Sequence, residues 1–423
     1  MRAKSGFSSG PGPVAIALLV GSSTGFAFQN PVPDSLRESE SLIEALSGYD
    51  PNGTELMERL RLKLGAWVDA GYTHNFDDPR NRQNLPVTFN SWTRRFLFNQ
   101  FNLYLERAIK PADRWDFGFR FDVMVGSDSQ FTQALGLEIS DAGRQKIVGD
   151  TDHPNHNLTR LAFPQIYGEI YMPYLGGVTL KGGHFYTLIG YEVVTAPDNF
   201  FYSHAYTMQY GEPFTHTGVL LSFNLPLPNL SMTVGAVNGW DSFSSDIDDA
   251  WNFIGGLSWS NGVEGAGALS VSLSAIHGTV AGYHGKMDHL TRSLYSLVVS
   301  YDLTEKLHLV LQHDHGWEEQ LGDENDAHWY GLNGYLTYDL NRIFSLGARM
   351  EWFRDDEGIR VVGDGEPASF YEMTFGANIK PTNWINIRPE IRYDWAEGNV
   401  QPYDDRSQDD QLLFAVDLVV NLL

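Results

Sequence analysis

Hydrophobic and polar residues alternate along much of this chain, and the alternation is clearest between Gln165 and Asn224. In Gln165 to Met172 the apolar residues fall on one side of an extended chain and the polar or aromatic residues on the other. Pro173 to Gly177 supplies a proline and two glycines for a sharp reversal, and Val178 to Phe185 resumes the period of two. A third alternating segment, Thr217 to Asn224, follows a long aromatic stretch. The pattern predicts three strands, each with one apolar face.

Similar segments recur from Leu60 to the C-terminus, and we predict sixteen strands. Long connections follow the odd-numbered strands, as in Ser127 to Ala162, whereas short ones follow the even-numbered strands, as in Pro381 to Asn383. This arrangement predicts an all-β fold: a transmembrane antiparallel β-barrel with short periplasmic turns and long extracellular loops. The predicted strands are Leu60 to Thr73, Phe96 to Arg107, Trp115 to Gly126, Phe163 to Met172, Val178 to Phe185, Thr215 to Asn224, Leu230 to Gly239, Trp251 to Ser260, Ala266 to His277, Arg292 to Leu303, Lys306 to His315, His328 to Leu340, Ile343 to Arg354, Ser369 to Lys380, Trp384 to Trp395 and Gln411 to Leu423.

Charged residues occur in the middle of several predicted strands, always on one face. In Trp384 to Trp395, for example, Ile387 and Ile391 alternate with Arg388 and Arg392. A charge facing lipid at mid-depth costs about 2 to 4 kcal/mol, so these faces are predicted to point to a water-filled interior. A soluble sandwich or propeller is the alternative. The chain has no blade-length repeat, and so much buried sheet would not tolerate the mid-strand charges.

Aromatic residues on the apolar faces lie near both ends of the predicted strands. Such residues favour the two interfaces of a bilayer, where an aromatic ring meets the lipid headgroups. Ordinary core aromatics are the alternative for each residue taken singly. The periplasmic set is Trp115, Trp259, Tyr301, Tyr338 and Phe344, and the extracellular set is Tyr72, Trp352, Tyr371 and Trp395.

The N-terminus has the features of a secretory signal. Arg2 and Lys4 precede the apolar run Val14 to Val20, and small residues follow before Phe28. We therefore predict a signal peptide at 1–27, a polar periplasmic leader with short helices at 28–59, and the barrel at 60–423. A frayed cytosolic N-terminus is the alternative.

Composition excludes several classes of function. The chain has no cysteine, so it has no disulfide, thiol nucleophile or thiolate metal site. Its formal net charge of −24 argues against nucleic acid as a partner. No stretch reaches the length of a membrane-spanning apolar helix, although 42% of the residues are hydrophobic.

Candidate metal ligands and catalytic groups are weak. The pairs His153 with His156 and His313 with His315 lack a placed third ligand, so no metal site or cofactor is predicted. The acidic runs Asp246 to Asp249 and Asp323 to Asp326, and the acids between Asp404 and Asp410, are interpreted as solvated loops; divalent cations that bridge anionic lipid are the alternative.

An enzyme would need a nucleophile and a base that converge. Ser203-His204 and Thr215-His216 offer these residue types, but neighbours in an extended chain point to opposite faces. The sequence therefore predicts no catalytic site. A barrel enzyme stays as a minor alternative.

One stretch resembles a known family. Gly182 to Val219, GGHFYTLIGYEVVTAPDNFFYSHAYTMQYGEPFTHTGV, is similar to the central signature of the OmpL-like β-barrel porins of bacterial outer membranes. The likeness extends over nearly the whole chain after the leader, in Phe101 to Arg107, Trp115 to Asp128, Val237 to Asp241, Arg349 to Gly358 and Ile387 to Trp395. It implies an outer-membrane porin for passive diffusion of small hydrophilic solutes or ions.

The resemblance also implies partners: outer-membrane lipid, the transported solutes, the outer-membrane assembly machinery and further copies of the chain. The last strand resembles a C-terminal assembly signal, but it ends in Leu423 where those signals usually end in an aromatic residue. The excess of acidic residues predicts a preference for cations. The alternative is a plugged structural or adhesive barrel.

Two groups of residues are candidates for the pore. Charged residues on interior faces would line it and set ion selectivity, unless they only pair with each other and stiffen the wall. By analogy with sixteen-stranded porins, the third long loop, His184 to His216, would fold inward and narrow the pore; a surface loop is the alternative. The pore-lining candidates are Arg120, Asp122, Glu169, Lys181, Arg349, Glu351, Glu372, Arg388, Glu390, Arg392 and Asp394, and the loop candidates are Tyr191, Asp198, Tyr202, Tyr206, Tyr210 and Glu212.

Overall fold

A computed structural model of the protein describes residues 39–140, 159–244, 251–281, 289–319 and 326–423. Its strands form one antiparallel sheet that closes on itself, because the first strand pairs with the last. The strands are β1 (Lys63–Asn75), β2 (Arg95–Arg107), β3 (Asp116–Gly126), β4 (Arg160–Ala162), β5 (Ile166–Met172), β6 (Val178–Tyr186), β7 (Thr215–Asn224), β8 (Leu230–Val237), β9 (Asn252–Ser260), β10 (Leu269–Ala281), β11 (His289–Asp302), β12 (Leu307–Glu318), β13 (Ala327–Asp339), β14 (Phe344–Asp355), β15 (Ala368–Thr382), β16 (Ile385–Gly398) and β17 (Asp410–Asn421).

The prediction of a sixteen-stranded barrel is confirmed. The short strand β4 and its successor β5 both pair with β3, so together they form one crossing of the wall. The strand β7 begins and ends at the predicted residues. The strand β10 extends beyond the predicted His277 because its pairing with β11 continues to Ala281. The short turns define the periplasmic rim and the long loops the extracellular rim.

Two short α-helices precede the barrel, α1 (Leu42–Ser47) and α2 (Glu55–Leu60). The hydroxyl of Ser41 accepts the backbone N–H of Glu44 and so caps α1. The N–H of Ile43 donates to the carbonyl of Leu422, which attaches α1 to the end of the last strand. No helix in the described ranges combines the length and hydrophobicity that crossing a membrane requires. The predicted signal peptide, 1–27, lies outside the described residues, and the domain division stays a prediction.

The outer face of the barrel is apolar. Leu273 and Ile391 point outward and are 42% and 43% exposed, which is unusual for large apolar side chains unless lipid covers them. The predicted periplasmic aromatics, such as Trp259, are exposed at one end of the wall. At the other end Tyr371 and Trp395 stack with ring centroids 5.1 Å apart. The apolar outer band therefore lies between two groups of aromatic residues.

The packed core lies inside the barrel instead of between two layers. Part of the interior is filled by the first loop (residues 76–94) and the third loop (residues 187–214). Val87 of the first loop and Tyr206 of the third loop pack in one buried cluster with Phe353 of the wall. The loops contact the inner face of β12 to β17 and of β1 to β3, and Ile189 of the third loop also packs in a buried cluster with Ile254 of β9 and Leu294 of β11.

A pair of neighbouring residues in β10 tests which face meets lipid. We expect Leu273→Arg to prevent assembly, since a lipid-facing arginine near mid-depth costs about 2 to 4 kcal/mol. Ser272 points inward, with its hydroxyl 3.2 Å from that of Ser258, so Ser272→Arg should be tolerated. Heat-modifiable migration of the barrel on gels reports assembly. Equal damage from both substitutions would mean that the register is displaced by one residue.

Candidate functional site

The third loop leaves the wall after β6 and returns at β7. Between these points it makes two short helical turns, Ala196–Asp198 and Thr207–Gly211. Tyr202 and Tyr206 are 2% and 1% exposed, so the loop is a packed part of the interior. It crosses from its origin to the inner face of β12 to β17, where charged side chains of the wall bind its backbone.

Arg349 of β14 makes the most extensive of these contacts. One terminal nitrogen, Nη1, donates to the carboxylate of Glu192 at 2.7 Å and to the carbonyl of Ser203 at 2.6 Å. Its Nη2 donates to the Ser203 hydroxyl at 3.0 Å, and its Nε donates to Glu372 on β15 at 2.5 Å. The guanidinium therefore joins two segments of the loop to two strands of the wall.

Two wall carboxylates bind backbone N–H groups of the loop. Glu351 accepts from the N–H groups of Tyr206 and Thr207, both at 2.6 Å. Glu390 accepts from the N–H groups of Tyr202 and Ser203, at 3.0 and 3.1 Å. These bonds satisfy buried donors that the irregular loop cannot pair internally.

Arg388 of β16 holds the first helical turn of the loop. Its Nη1 donates to the carbonyls of Ala196 and Asn199 at 2.8 and 2.9 Å. Its Nε donates to Asp417 of β17 at 3.0 Å. A bidentate pair with a neighbouring strand thus fixes the side chain that binds the loop.

Arg392, on the same strand, binds the third loop at a later residue than Arg388 does. It donates to the carbonyl of His204 at 2.6 Å and to Asp394 at 2.9 Å. Asp394 also accepts from the hydroxyl of Tyr206 at 2.8 Å. The hydroxyl of Tyr403, from the last extracellular loop, lies 3.0 Å from that of Tyr206.

The loop carboxylate Glu192 stays ionised although it is buried. Burial raises its pKa, but Arg349 and His204 outweigh this effect and lower the pKa to about 2. The ring nitrogen Nδ1 of His204 lies 3.0 Å from the carboxylate of Glu192. The hydroxyl of Tyr335 donates to the same carboxylate at 3.2 Å. An anion is therefore fixed where the loop meets the wall.

Glu212 of the loop differs from Glu192, because its buried neighbour is a carboxylate instead of a cation. It accepts from the amide of Gln312 at 2.5 Å, and the same amide donates to Asp314 at 2.9 Å. Burial and the nearby carboxylate of Asp314 raise the pKa of Glu212 well above its usual range. The two acids cannot both ionise without loss of stability.

This pair leads to a pH-dependent stability. Because the folded pKa of Glu212 lies above the unfolded value of about 4.3, rising pH forces ionisation of a group that the fold prefers neutral. We expect Glu212→Gln to be more heat-resistant than the wild type at alkaline pH and similar at about pH 4. Each tenfold change in the ionisation constant corresponds to about 1.4 kcal/mol. Gel-based unfolding temperatures across pH measure the gap, with the exposed Glu264→Gln as the control. A gap that does not grow with pH would contradict the assignment.

The first loop also enters the interior and packs on the third. The carbonyl of Pro86 accepts from the Tyr210 hydroxyl at 2.6 Å, and the Thr88 hydroxyl donates to Gln209 at 2.6 Å. The ring of Phe89 packs at a tilt against that of His204, with centroids 4.1 Å apart. The two loops therefore form one internal body.

Four of the predicted wall charges lie away from the third loop. Lys181 pairs with Glu169 at 3.1 Å, and these side chains keep 27% and 18% of their surface exposed. Arg120 pairs with Asp122 at 2.7 Å and with Glu106 at 3.4 Å. Lys181, Glu169 and Arg120 thus remain in contact with water, whereas Asp122 is buried.

Sequence reasoning missed a second solvated part of the interior wall, which carries hydroxyl groups. Ser222 and Thr233 face each other at 2.9 Å, and Ser258 and Ser272 at 3.2 Å. All four are inward-facing and at least partly exposed. Serines that alternate with apolar residues along these strands could have indicated this polar surface. A search limited to charged residues overlooks them.

The two remaining loop candidates form hydrogen bonds, although Asp198 stays exposed. Tyr191 donates its N–H to Gln312 at 3.2 Å, and Asp198 accepts from the Thr195 hydroxyl at 2.6 Å. The wall cations lie beside carboxylates in ion pairs, as in Arg349 with Glu372 and Arg392 with Asp394. Their role as pore-lining residues stays a prediction. The seven wall candidates that contact the third loop directly or through a paired neighbour are Arg349, Glu351, Glu372, Arg388, Glu390, Arg392 and Asp394.

Those metal and catalytic candidates that fall among the described residues are not assembled into sites. Within the described ranges no group of three or more His, Asp or Glu side chains is placed to hold a metal ion. The Ser203 hydroxyl binds Arg349, while His204 binds Glu192. His153, His156, Asp246 to Asp249 and Asp323 to Asn325 lie outside the described residues.

Comparisons with known proteins give a family and a fold. Residues 61–422 match the family described as "Putative beta-barrel porin-2, OmpL-like". A search of the curated proteins found no match. The barrel resembles OprB of Pseudomonas putida at high pH, with 13% identity, a TM-score of 0.57 and coverage of 91% of this chain and 99% of that one.

Two further solved structures share the fold at low identity. The outer membrane channel DcaP of Acinetobacter baumannii has 9% identity and a TM-score of 0.55, with coverage of 85% of this chain and 96% of that one. The anion-selective porin from Comamonas acidovorans has 10% identity and a TM-score of 0.53, with coverage of 85% and 99%. At such identities the likeness establishes the fold alone.

Proposed function

Because the chain belongs to the OmpL-like β-barrel porin family of the outer membrane, we propose that it passes small hydrophilic solutes and ions by passive diffusion, with a preference for cations. The observation that carries this proposal is the third loop, which lies inside the barrel and is bound to the opposite wall. A loop fixed inside the barrel narrows the channel, while the surrounding strands keep the shape of the barrel. The predicted outer-membrane location is confirmed.

A solvated route along the other side of the interior supports diffusion. The hydroxyls of Ser222 and Ser258 and the charged pair Lys181 with Glu169 face the interior on β5 to β9, and all four side chains keep part of their surface exposed. Hydroxyls and paired charges can replace the water that a polar solute loses on entry. The route therefore suits hydrophilic solutes without a dedicated binding pocket.

The balance of acidic and basic residues supports the cation preference. The chain carries 53 Asp and Glu residues against 29 Lys and Arg residues, which gives a formal net charge of −24. Fixed negative charge raises the local cation concentration, and physiological salt with a Debye length of about 8 Å screens it only partly inside a narrow channel. An excess of carboxylates over guanidinium groups should therefore favour cations.

A plugged structural barrel is the second candidate. It is favoured by the burial of the first and third loops against each other, with Val87 and Tyr206 only 2% and 1% exposed. In that case the interior body would block solute flow altogether.

Conductance separates the two candidates. Purified protein in planar bilayers should give stable open channels, and in a salt gradient the reversal potential should have the sign of a cation-preferring pore. Liposomes carrying the protein should swell in small sugars. Absence of both conductance and swelling would replace the porin proposal with the plugged barrel, and an anion-selective reversal potential would overturn the cation preference alone.

We also propose that the last strand β17 is read by the outer-membrane assembly machinery and that barrels associate through their apolar outer faces. The alternation in β17, with Phe414 and Leu418 outward and Asp417 inward, supports the first point. Cross-linking of purified barrels measures the second.

A further inference from the structure

The extracellular end of β1 and β2 carries a cavity of about 400 Å³ that the proposed channel does not use. It lies where the first loop meets β2, and its lining is rich in arginine in a chain whose net charge is −24. The lining contains no carboxylate. The residues that form it are Arg80, Asn81, Arg82, Trp92, Thr93, Arg94 and Arg95.

Most of the positive charge around this cavity is not neutralised locally. Arg94 pairs with Asp78 at 2.7 Å, and Arg95 lies over the ring of Trp92 at 5.6 Å from its centroid. Within the described part of the chain, Arg80 and Arg82 have no ion pair, and both side chains are exposed. Two to three guanidinium groups are therefore available to a ligand.

The backbone that carries these arginines is fixed. Thr93 forms a β-bridge with Thr73 of β1, and its hydroxyl accepts the N–H of Asn75 at 2.8 Å. Trp92 bridges Gln83 on the other arm of the loop. The cavity is thus built by a folded loop whose two arms are held together.

We propose that this cavity binds a phosphorylated sugar. Guanidinium groups present paired N–H donors that match the oxygens of a phosphate, and several of them around one space fit more than one anionic oxygen. The cavity is larger than a phosphate group needs. The exposed side chain of Asn81 and the partly exposed ring of Trp92 offer polar and apolar surface for an attached sugar.

A phosphorylated sugar could reach this cavity from two sources. Phe96, next to Arg95, points outward and is 81% exposed, so the cavity lies close to the lipid-facing surface at the extracellular rim. A phosphorylated lipid headgroup sugar could reach it there. A soluble sugar phosphate could reach it from the medium.

The two nearest acids limit the affinity. Asp78 shares Arg94, and Asp405 of the last loop accepts from the amide of Asn81 at 2.9 Å. Because the remaining attraction comes from the charge of the arginine side chains, binding should weaken as salt concentration rises.

Titrations of the full-length purified barrel with glucose 6-phosphate and with lipid A test the site, and glucose and dephosphorylated lipid A serve as neutral probes. The test variant is Arg80→Gln with Arg82→Gln, and the matched control is Arg114→Gln with Arg342→Gln, which removes the same charge from exposed positions at the periplasmic rim. We expect at least a tenfold loss of affinity for one of the phosphorylated probes in the test variant. The control should bind as the wild type does.

The result also identifies the source. Loss confined to lipid A indicates a lipid headgroup, and loss confined to glucose 6-phosphate indicates a soluble ligand. Equal binding of phosphorylated and neutral probes, or equal affinities of the test and control variants, would overturn the proposal. Conductance of the same samples is recorded in parallel, so an inactive or misfolded channel is distinguished from a barrel that conducts but has lost the site.

Discussion

Replacing Arg349 with methionine is expected to release the third loop and to raise single-channel conductance about twofold or more. The substitution leaves Glu192 and Glu372 buried without their common cation. Breaking a buried pair by removing one partner costs roughly 3 to 5 kcal/mol, because the other charge stays buried without compensation. The loop should then leave the wall and widen the channel. Conductance steps and current noise in planar bilayers measure the change.

A second variant protects this test against loss of assembly. Glu192→Gln keeps Arg349 and its bond to Glu372 but removes the negative charge that the loop presents to Arg349. It should raise conductance in the same direction by a smaller amount. Arg342→Met is the matched control, because it makes the same substitution at an exposed position of a periplasmic turn, away from the loop. Unchanged conductance in both loop variants would mean that the loop does not set the size of the channel.

The architecture of the barrel could be predicted from the sequence because its signals are local. Alternation in β16 assigns Arg388 and Ile391 to opposite faces, and a period of two allows no third possibility. The charge on one face then requires water, and the apolar face requires lipid. These inferences need only neighbouring residues.

The arrangement of the interior could not be predicted in the same way. Glu351 binds the N–H groups of Tyr206 and Thr207, which lie about 145 residues earlier in the chain. No local pattern relates these positions. The sequence indicated that Arg388 and Arg392 point inward, but it left open whether they face water or pair with neighbours. The structure pairs both with carboxylates and with loop carbonyls.

The buried wall charges therefore should not be the main determinants of ion selectivity. A charge already paired with a neighbour and covered by a loop has little influence on ions in water. The charges that act on ions are those in the solvated part of the interior. Lys181 and Glu169 satisfy this condition, because they oppose each other on β6 and β5 and both retain contact with water.

Opposite shifts in selectivity are expected from the two members of this pair. Lys181→Gln leaves the carboxylate of Glu169 unpaired and should raise the ratio of cation to anion permeability, whereas Glu169→Gln should lower it. A unit charge about 8 Å from the ion path, screened by physiological salt, changes this ratio roughly twofold. Reversal potentials in a potassium chloride gradient measure the ratio. The same measurement in Lys306→Gln, at a periplasmic turn, controls for net charge. Shifts of the same sign in both variants, or none in either, would place the ion path on another part of the wall.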